Sequence, residues 1–284
     1  MTVRLATRSA PYSANSRARR LFRTEPVCVL SLKTVVHGKV PARFTRVTKG
    51  LTVSLSASAS IVLPSKSYAA FLFDMDGTIL NSTAAAERVW GRWAERMGLD
   101  VAAFLPTMHG KRGIDTITAL NLPGVDPAAE ADEILRGEIE DVEGVVALPG
   151  AVDFLAALPP ERWAIVTSSP IDLAKRRLSA AGITPPRYMV TAEDVTIGKP
   201  NPQGYILGAQ RLGVSPAQTL VFEDVLAGIQ AGEAAGADVM VITATHSHRI
   251  ETRHPTIPGY SDVVPCIVEN GLLAIRRKAG QSAV

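Results

Sequence analysis

At 284 residues the chain can hold one large domain or a domain with an insert, and 46% hydrophobic residues supply an ample core. No apolar run approaches the roughly 18 residues of a membrane span, and two cysteines, Cys28 and Cys266, make neither a disulfide framework nor a metal cluster. The net charge of +3 conceals an asymmetry: residues 1–67 carry 12 of the 30 Lys and Arg and one acid, Glu25, which leaves 18 basic and 26 acidic residues, a net of −8, in the remainder. An acidic body argues against nucleic acid as a partner, and neither nucleic acid nor membrane is expected.

Residues 1–67 are rich in Arg and Ser, show no sustained periodicity, and read as an extension outside the fold. That composition fits an organelle transit peptide, a disordered tail, or sequence upstream of a mis-called start. The expected location is the cytoplasm, or an organelle if the extension is a transit peptide. A secretory signal is disfavoured, because serines dilute the apolar stretch 51–64, which lies deep in the chain.

The first predicted strand, Phe71-Leu72-Phe73, ends in Asp74-Met75-Asp76-Gly77-Thr78. A helix is predicted over residues 84–97. More helical sequence continues to about residue 143, with breaks near Pro106, Pro123-Gly124 and Pro127. Residues 151–158 form the next predicted helix. Trp163-Ala164-Ile165-Val166 is a second buried strand ending at Thr167-Ser168. Ser169-Pro170-Ile171-Asp172 then reads as a helix start in which Ser169 caps, and Gly182 ends that helix. A short strand at 188–190, a helix at 205–212, a capping sequence at 215–218, a strand at 219–222 ending in Glu223-Asp224, a helix at 227–235 and a strand at 239–242 follow. Alternating βα units predict an α/β fold: a Rossmann-like parallel sheet. Residues 68–83 and 147–275 form this core, residues 84–146 a small inserted helical cap, and 276–284 a tail.

Strands of open α/β sheets deliver chemistry at their carboxyl ends. Two carboxylates there, Asp74 and Asp76, are costly unless a cation meets them. Mg²⁺, which pairs one or two carboxylates with a substrate phosphate, is the natural guest. Thr167-Ser168, Lys199 in Gly198-Lys199-Pro200, and Glu223-Asp224 also fall at strand ends or adjoining loops.

D-x-D-G-T after an apolar strand resembles the first signature of the haloacid dehalogenase superfamily of phosphohydrolases, and the other three features match its remaining signatures in order. The resemblance covers most of residues 69–245. It implies that Asp74 is a nucleophile forming an aspartyl-phosphate and that Asp76 is general acid, then base. Thr167 and the backbone N–H of Ser168 would bind a phosphoryl oxygen, and Lys199 would neutralise phosphate charge and hold Asp74 ionised. Mg²⁺ would be bound by Asp74, Asp224 and the main-chain carbonyl of Asp76, with Glu223 as direct or outer ligand. The chain departs from many relatives at Asn81, where they carry Asp; Asn keeps the hydrogen bonding and drops a charge.

The predicted cap contains His109-Gly110-Lys111-Arg112-Gly113-Ile114-Asp115-Thr116, which resembles sugar- and polyol-phosphate phosphatases, including those of 2-deoxyglucose-6-phosphate and glycerol phosphate. Arg112 or Lys111 is expected to reach the phosphate or a sugar hydroxyl, and His109 to orient the loop. The expected partner is a small phosphorylated sugar or polyol. The alternatives are a sugar phosphomutase of the β-phosphoglucomutase type, which shares all four motifs, and a non-catalytic phosphometabolite-binding protein. Haloacid dehalogenation is disfavoured, since it needs neither Mg²⁺ nor a carboxylate at 76. His246, His248 and His254 read as a surface loop and not as a metal site. Oligomeric state is not legible.

Overall fold

Apolar runs that end in polar loops become the strands of one parallel sheet. The structure is a computed structural model that describes residues 63–246 and 251–279. Residues 1–62, most of the expected extension and with it Cys28, lie outside the described residues, as does His248. Residues 63–67, assigned to the extension from composition, instead reach the core: Leu63 packs against it and Lys66 Nζ meets Asp238 Oδ2 at 2.8 Å.

Strand β1 (Ala70–Phe73) leads through the Asp74 turn to β2 (Leu80–Asn81). The chain then leaves the sheet as four helices, α1 (Thr83–Arg96), α2 (Val101–Met108), α3 (Gly113–Leu120) and α4 (Pro127–Glu140). It returns through β3 (Val146–Ala147), which pairs antiparallel with β2 and makes a two-stranded neck. Then α5 (Ala151–Ala156), β4 (Trp163–Val166), α6 (Ile171–Ala180), β5 (Met189–Val190), α7 (Gln203–Arg211), β6 (Thr219–Glu223), α8 (Leu226–Ala234) and β7 (Asp238–Ile242) alternate. After β8 (Thr256–Ile257), β9 (Val263–Ile267) and β10 (Leu273–Arg277) form a separate antiparallel ribbon. Among the described residues the main sheet has six parallel strands, in the order β5-β4-β1-β6-β7-β8.

The expected α/β class is therefore found, with corrections. Pro106 does not break the insert: it lies within α2, on an exposed turn near the helix end, where the missing N–H removes one hydrogen bond. The Asp100 carboxylate caps that helix by accepting from Ala103 N at 3.2 Å. β10 runs to Arg277, so the last strand enters the segment read as a tail. The β9–β10 ribbon was not expected, because Pro265 interrupts its first strand. Cys266 on that strand is half-buried, with Sγ toward Ala274 O at 3.6 Å.

Both sheet faces are covered, as a parallel sheet requires. Phe71, Phe73, Ile165, Leu220 and Phe222 pack with Phe154 of α5, Leu178 of α6 and Tyr260. On the other face Leu72, Val166, Val221 and Val239 pack with Tyr205 and Ala209 of α7 and Ile229 of α8. Phe73 stacks on Phe222 at 4.3 Å, directly beneath the two acidic strand ends. The insert has its own core of Trp90, Trp93, Phe104, Met108, Ile117 and Ile134.

Tyr260, fully buried, contacts Phe154 at 4.9 Å and donates its hydroxyl to Thr78 O at 3.0 Å, so a C-terminal residue braces the Asp74–Thr78 turn. Tyr260→Phe should lower unfolding free energy by about 1 kcal/mol, and Tyr260→Ala by about 3–5 kcal/mol, measured by urea titration. Equal stabilities would show that the turn is held from elsewhere.

Candidate functional site

The site forms where β1, β4 and β6 end side by side. Asp74 follows β1, Thr167 and Ser168 follow β4, and Glu223 and Asp224 close β6. Gly77, with φ +84, makes the turn after Asp76 possible. A Cβ there would stand 2.0 Å from Asp224 Oδ2, so only glycine lets the carboxylate lie against the turn. Thr78 Oγ1 donates to Asp224 Oδ1 at 3.1 Å and fixes its rotamer.

Lys199 arrives from the loop before α7. Its Nζ donates to Asp74 Oδ1 at 2.5 Å and to Glu223 Oε1 at 2.7 Å. Glu223 Oε1 also accepts from Tyr205 OH at 2.8 Å, and its Oε2 from the N–H groups of Asp224 and Val225 at 2.9 and 3.2 Å. Both oxygens of Glu223 are thus occupied by protein donors, and its side chain positions Lys199. Gly228 makes room for it, since a Cβ there would fall 1.6 Å from Glu223 Oε1.

Three buried carboxylates, Asp74, Glu223 and Asp224, offer oxygens within 4.8 Å of one another. One ammonium meets them, so the cluster is short of positive charge. Burial raises Asp74 to about 7, against the pull of Lys199 and with a further push from Glu223. Burial, Glu223 and Asp74 likewise raise Asp224 well above the usual carboxylate range. Burial works against the Lys199 charge, but Asp74 and Glu223 outweigh it and hold the lysine protonated. An all-oxygen, over-acidic cluster is the donor chemistry a hard divalent cation takes.

Asp76 turns the other way. Its Oδ1 accepts from Ser82 Oγ at 2.6 Å and Arg177 Nη1 at 3.0 Å, and its Oδ2 from Ser169 Oγ at 3.0 Å. Ser169 therefore does not cap α6 as the sequence rule predicts. Ile171 N, in the first turn of α6, donates instead to Glu193 Oε1 at 3.0 Å. Thr167 Oγ1 accepts from Ser169 N at 3.0 Å, and Ser168 Oγ donates to Gly110 O of the insert at 3.0 Å. Asn81 Oδ1 accepts from Thr83 N at 3.0 Å and so starts α1.

Over these residues lies a cavity lined by Asp74, Asp76, Thr167 and Ser168 from below. Trp90, His109, Lys111 and Glu138 line it from the insert. Arg112 lines an adjoining pocket instead, with Thr167, Ser168 and Lys199. Its guanidinium grips Asp115 with two 2.7 Å bonds and the carbonyls of Val195 and Thr196 at 2.9 and 3.0 Å, tying α3 to the loop that carries Lys199. Lys111 is the member of the expected pair that reaches the cavity. His109 sits 3.4 Å from Glu87, consistent with a loop-orienting role. His254 pairs with Glu233 at 2.7 Å, and among the described residues no three potential ligands gather in that loop.

Sequence reasoning passed over Ser82, Glu138 and Arg177, and read Ser169 as a helix cap where it binds Asp76. Arg177 did leave a signal: it occupies an apolar position of α6, in step with Leu173, Ala174 and Leu178, where a charge needs a buried partner.

A family model for haloacid dehalogenase-like hydrolases matches residues 68–236, more than half of the chain. The chain belongs to the haloacid dehalogenase-like hydrolase family. Among curated relatives, hexitol phosphatase A of Escherichia coli (strain K12) is 42% identical over 178 residues, 61% of this chain and 82% of its own length. Glycerol-1-phosphate phosphohydrolase 1 of Saccharomyces cerevisiae is 37% identical over 189 residues, 62% of this chain and 75% of its own. The crystal structure of a hydrolase from Pseudomonas syringae aligns with TM-score 0.56 and 25% identity, over 64% of this chain and 87% of that one. The hydrolase family thus accounts for the parallel sheet.

The raised Asp74 has a thermodynamic consequence. A carboxyl that binds its proton more tightly folded than unfolded stabilises the fold in full below its ordinary value near 3.8, and that contribution is lost as pH rises through about 7. In EDTA, the melting temperature of the wild type should therefore fall relative to Asp74→Asn between about pH 4 and about pH 7. Added divalent cation should close the gap. Parallel melting curves would show that Asp74 does not carry the imbalance.

Proposed function

We propose that this hydrolase is a Mg²⁺-dependent phosphatase that releases inorganic phosphate from small phosphorylated sugars or polyols. The observation that carries this is Asp74, held between Lys199 and the acidic cluster at the floor of a cavity that also contains Asp76. Hexitol and glycerol-1-phosphate, in the names of the two curated relatives, support a polyol ester as substrate.

Asp74 and Asp224 through their carboxylates, and Asp76 through its main-chain carbonyl, are the groups that would hold Mg²⁺. When bound, the ion screens the charge between carboxylate and phosphate and stabilises what develops in transfer. Lys199 supplies a fixed positive charge beside Asp74. The Thr167 hydroxyl and the Ser168 N–H would bind a phosphoryl oxygen, and Lys111 adds a cation from the insert.

In the first step a carboxylate oxygen of Asp74 attacks phosphorus and the ester P–O bond breaks. The leaving oxygen takes the proton of the Asp76 carboxyl and departs as the alcohol. In the second step water attacks the aspartyl-phosphate and gives its proton to the Asp76 carboxylate. The P–O bond to Asp74 breaks, which regenerates both side chains and frees phosphate. Nothing in the cavity favours the phosphomutase alternative.

Purified protein should release phosphate from hexitol phosphate, glycerol-1-phosphate or 2-deoxyglucose-6-phosphate with Mg²⁺ and stop in EDTA. Turnover that survives EDTA would remove the metal from the scheme. Asp74→Asn should lower kcat by at least about a thousandfold while circular dichroism stays unchanged. With β-glucose-1-phosphate and a trace of bisphosphate, free phosphate should accumulate. Accumulating glucose-6-phosphate would overturn the phosphatase reading in favour of a mutase.

A further inference from the structure

Arg177 belongs to the core helix α6, yet its side chain is only 6% exposed and lies on the apolar face. A buried guanidinium is costly, and a Met or Leu of similar size would hold the helix in place more cheaply. Arg177 is paired instead with carboxylates from two parts of the chain. Nη1 reaches Asp76 Oδ1 at 3.0 Å, and Nη2 reaches Glu138 Oε1 on α4 of the insert at 2.8 Å. Glu138 is itself buried and also accepts from the Trp90 indole at 3.3 Å. Among the described residues, Arg177 Nε is the buried side-chain nitrogen left without a hydrogen-bond partner. The guanidinium is therefore oriented by the two carboxylates and not by full satisfaction of its own donors.

The result is a continuous bridge, Trp90–Glu138–Arg177–Asp76, that runs from the insert into the turn after β1. Ser82, where the chain departs for the insert, and Ser169, before α6, complete the grip on Asp76. We infer that Arg177 and Glu138 are positioning residues that act through Asp76, fixing the aim of the carboxylate that exchanges protons with the leaving oxygen. Because Glu138 rides on the insert, the seating of the insert over the cavity enters that aim. This inference rests on the assignment of proton transfer to Asp76 above.

A residue that acts through a proton donor matters most when the leaving group is a poor one. The test uses Mg²⁺-loaded protein and a series of substituted phenyl phosphates of rising leaving-group pKa, alongside glycerol-1-phosphate. The single-turnover rate of alcohol release is followed. Arg177→Lys keeps the charge, and the double variant Arg177→Met/Glu138→Gln removes the Arg177–Glu138 pair and leaves Asp76 its two hydroxyl donors, Ser82 and Ser169; melting temperatures confirm folding. In the double variant the rate should fall about tenfold or more for the poorest leaving groups and little for nitrophenyl phosphate, steepening the dependence on leaving-group pKa. Arg177→Lys should restore part of the loss. A uniform loss across the series, or none, would overturn the inference. So would a loss confined to glycerol-1-phosphate, which would mark Glu138 and Arg177 as hydroxyl-binding groups. Wild-type protein that releases phosphate from none of these esters would instead overturn the phosphatase reading on which the inference rests.

Discussion

Three carboxylates buried around one ammonium set the terms for this molecule. Asp74, Glu223 and Asp224 repel one another, and Lys199 alone does not balance them. Such a cluster persists only because much of the surrounding backbone is arranged to hold it. Gly77 and Gly228 leave space that a single methyl group would fill. Tyr205 and two backbone N–H groups satisfy Glu223, and Thr78 fixes Asp224. Beneath, the Phe73–Phe222 stack keeps the two acidic strand ends at a set spacing. Stability is given up locally and recovered from aromatic burial a few ångströms below.

The same division of labour separates the two aspartates of the first turn. Asp74 points into the charge cluster, whereas Asp76 is drawn aside by two hydroxyls and a guanidinium. Residues two apart in a continuing strand would share a face; β1 stops at Phe73, and the turn through Gly77 gives the two carboxylates different surroundings. The insert contributes to both environments: Gly110 accepts from Ser168, Arg112 braces the loop that presents Lys199, and Glu138 holds Arg177.

What was legible in the sequence was local. Each of the four motifs is a short polar stretch at a strand end or in an adjoining loop, so strand-finding found most of the site. The helices followed from apolar periodicity and from Gly and Pro stops. What was hidden depends on partners far apart in the chain. Arg177 meets Glu138 across 39 positions and Asp76 across 101. Ser169 satisfies the local rule for a helix cap, but a tertiary carboxylate outbids the helix for its hydroxyl. Nothing near Arg112 in sequence announces its bonds to the carbonyls of Val195 and Thr196. Two-residue strands such as β2, β3 and β8 are shorter than any periodicity can register.

The neck formed by β2 and β3 has a further consequence. Residues 80–81 and 146–147 lie side by side, so the whole helical excursion begins and ends at one point on the core. Lengthening, shortening or exchanging what hangs from that point leaves the register of the main sheet untouched. The core and the insert are thus joined like a lens mount and its lenses. The neck transmits few constraints, and the side-chain ties through Arg177, Arg112 and Ser168 join insert to core where the backbone connection alone leaves them free.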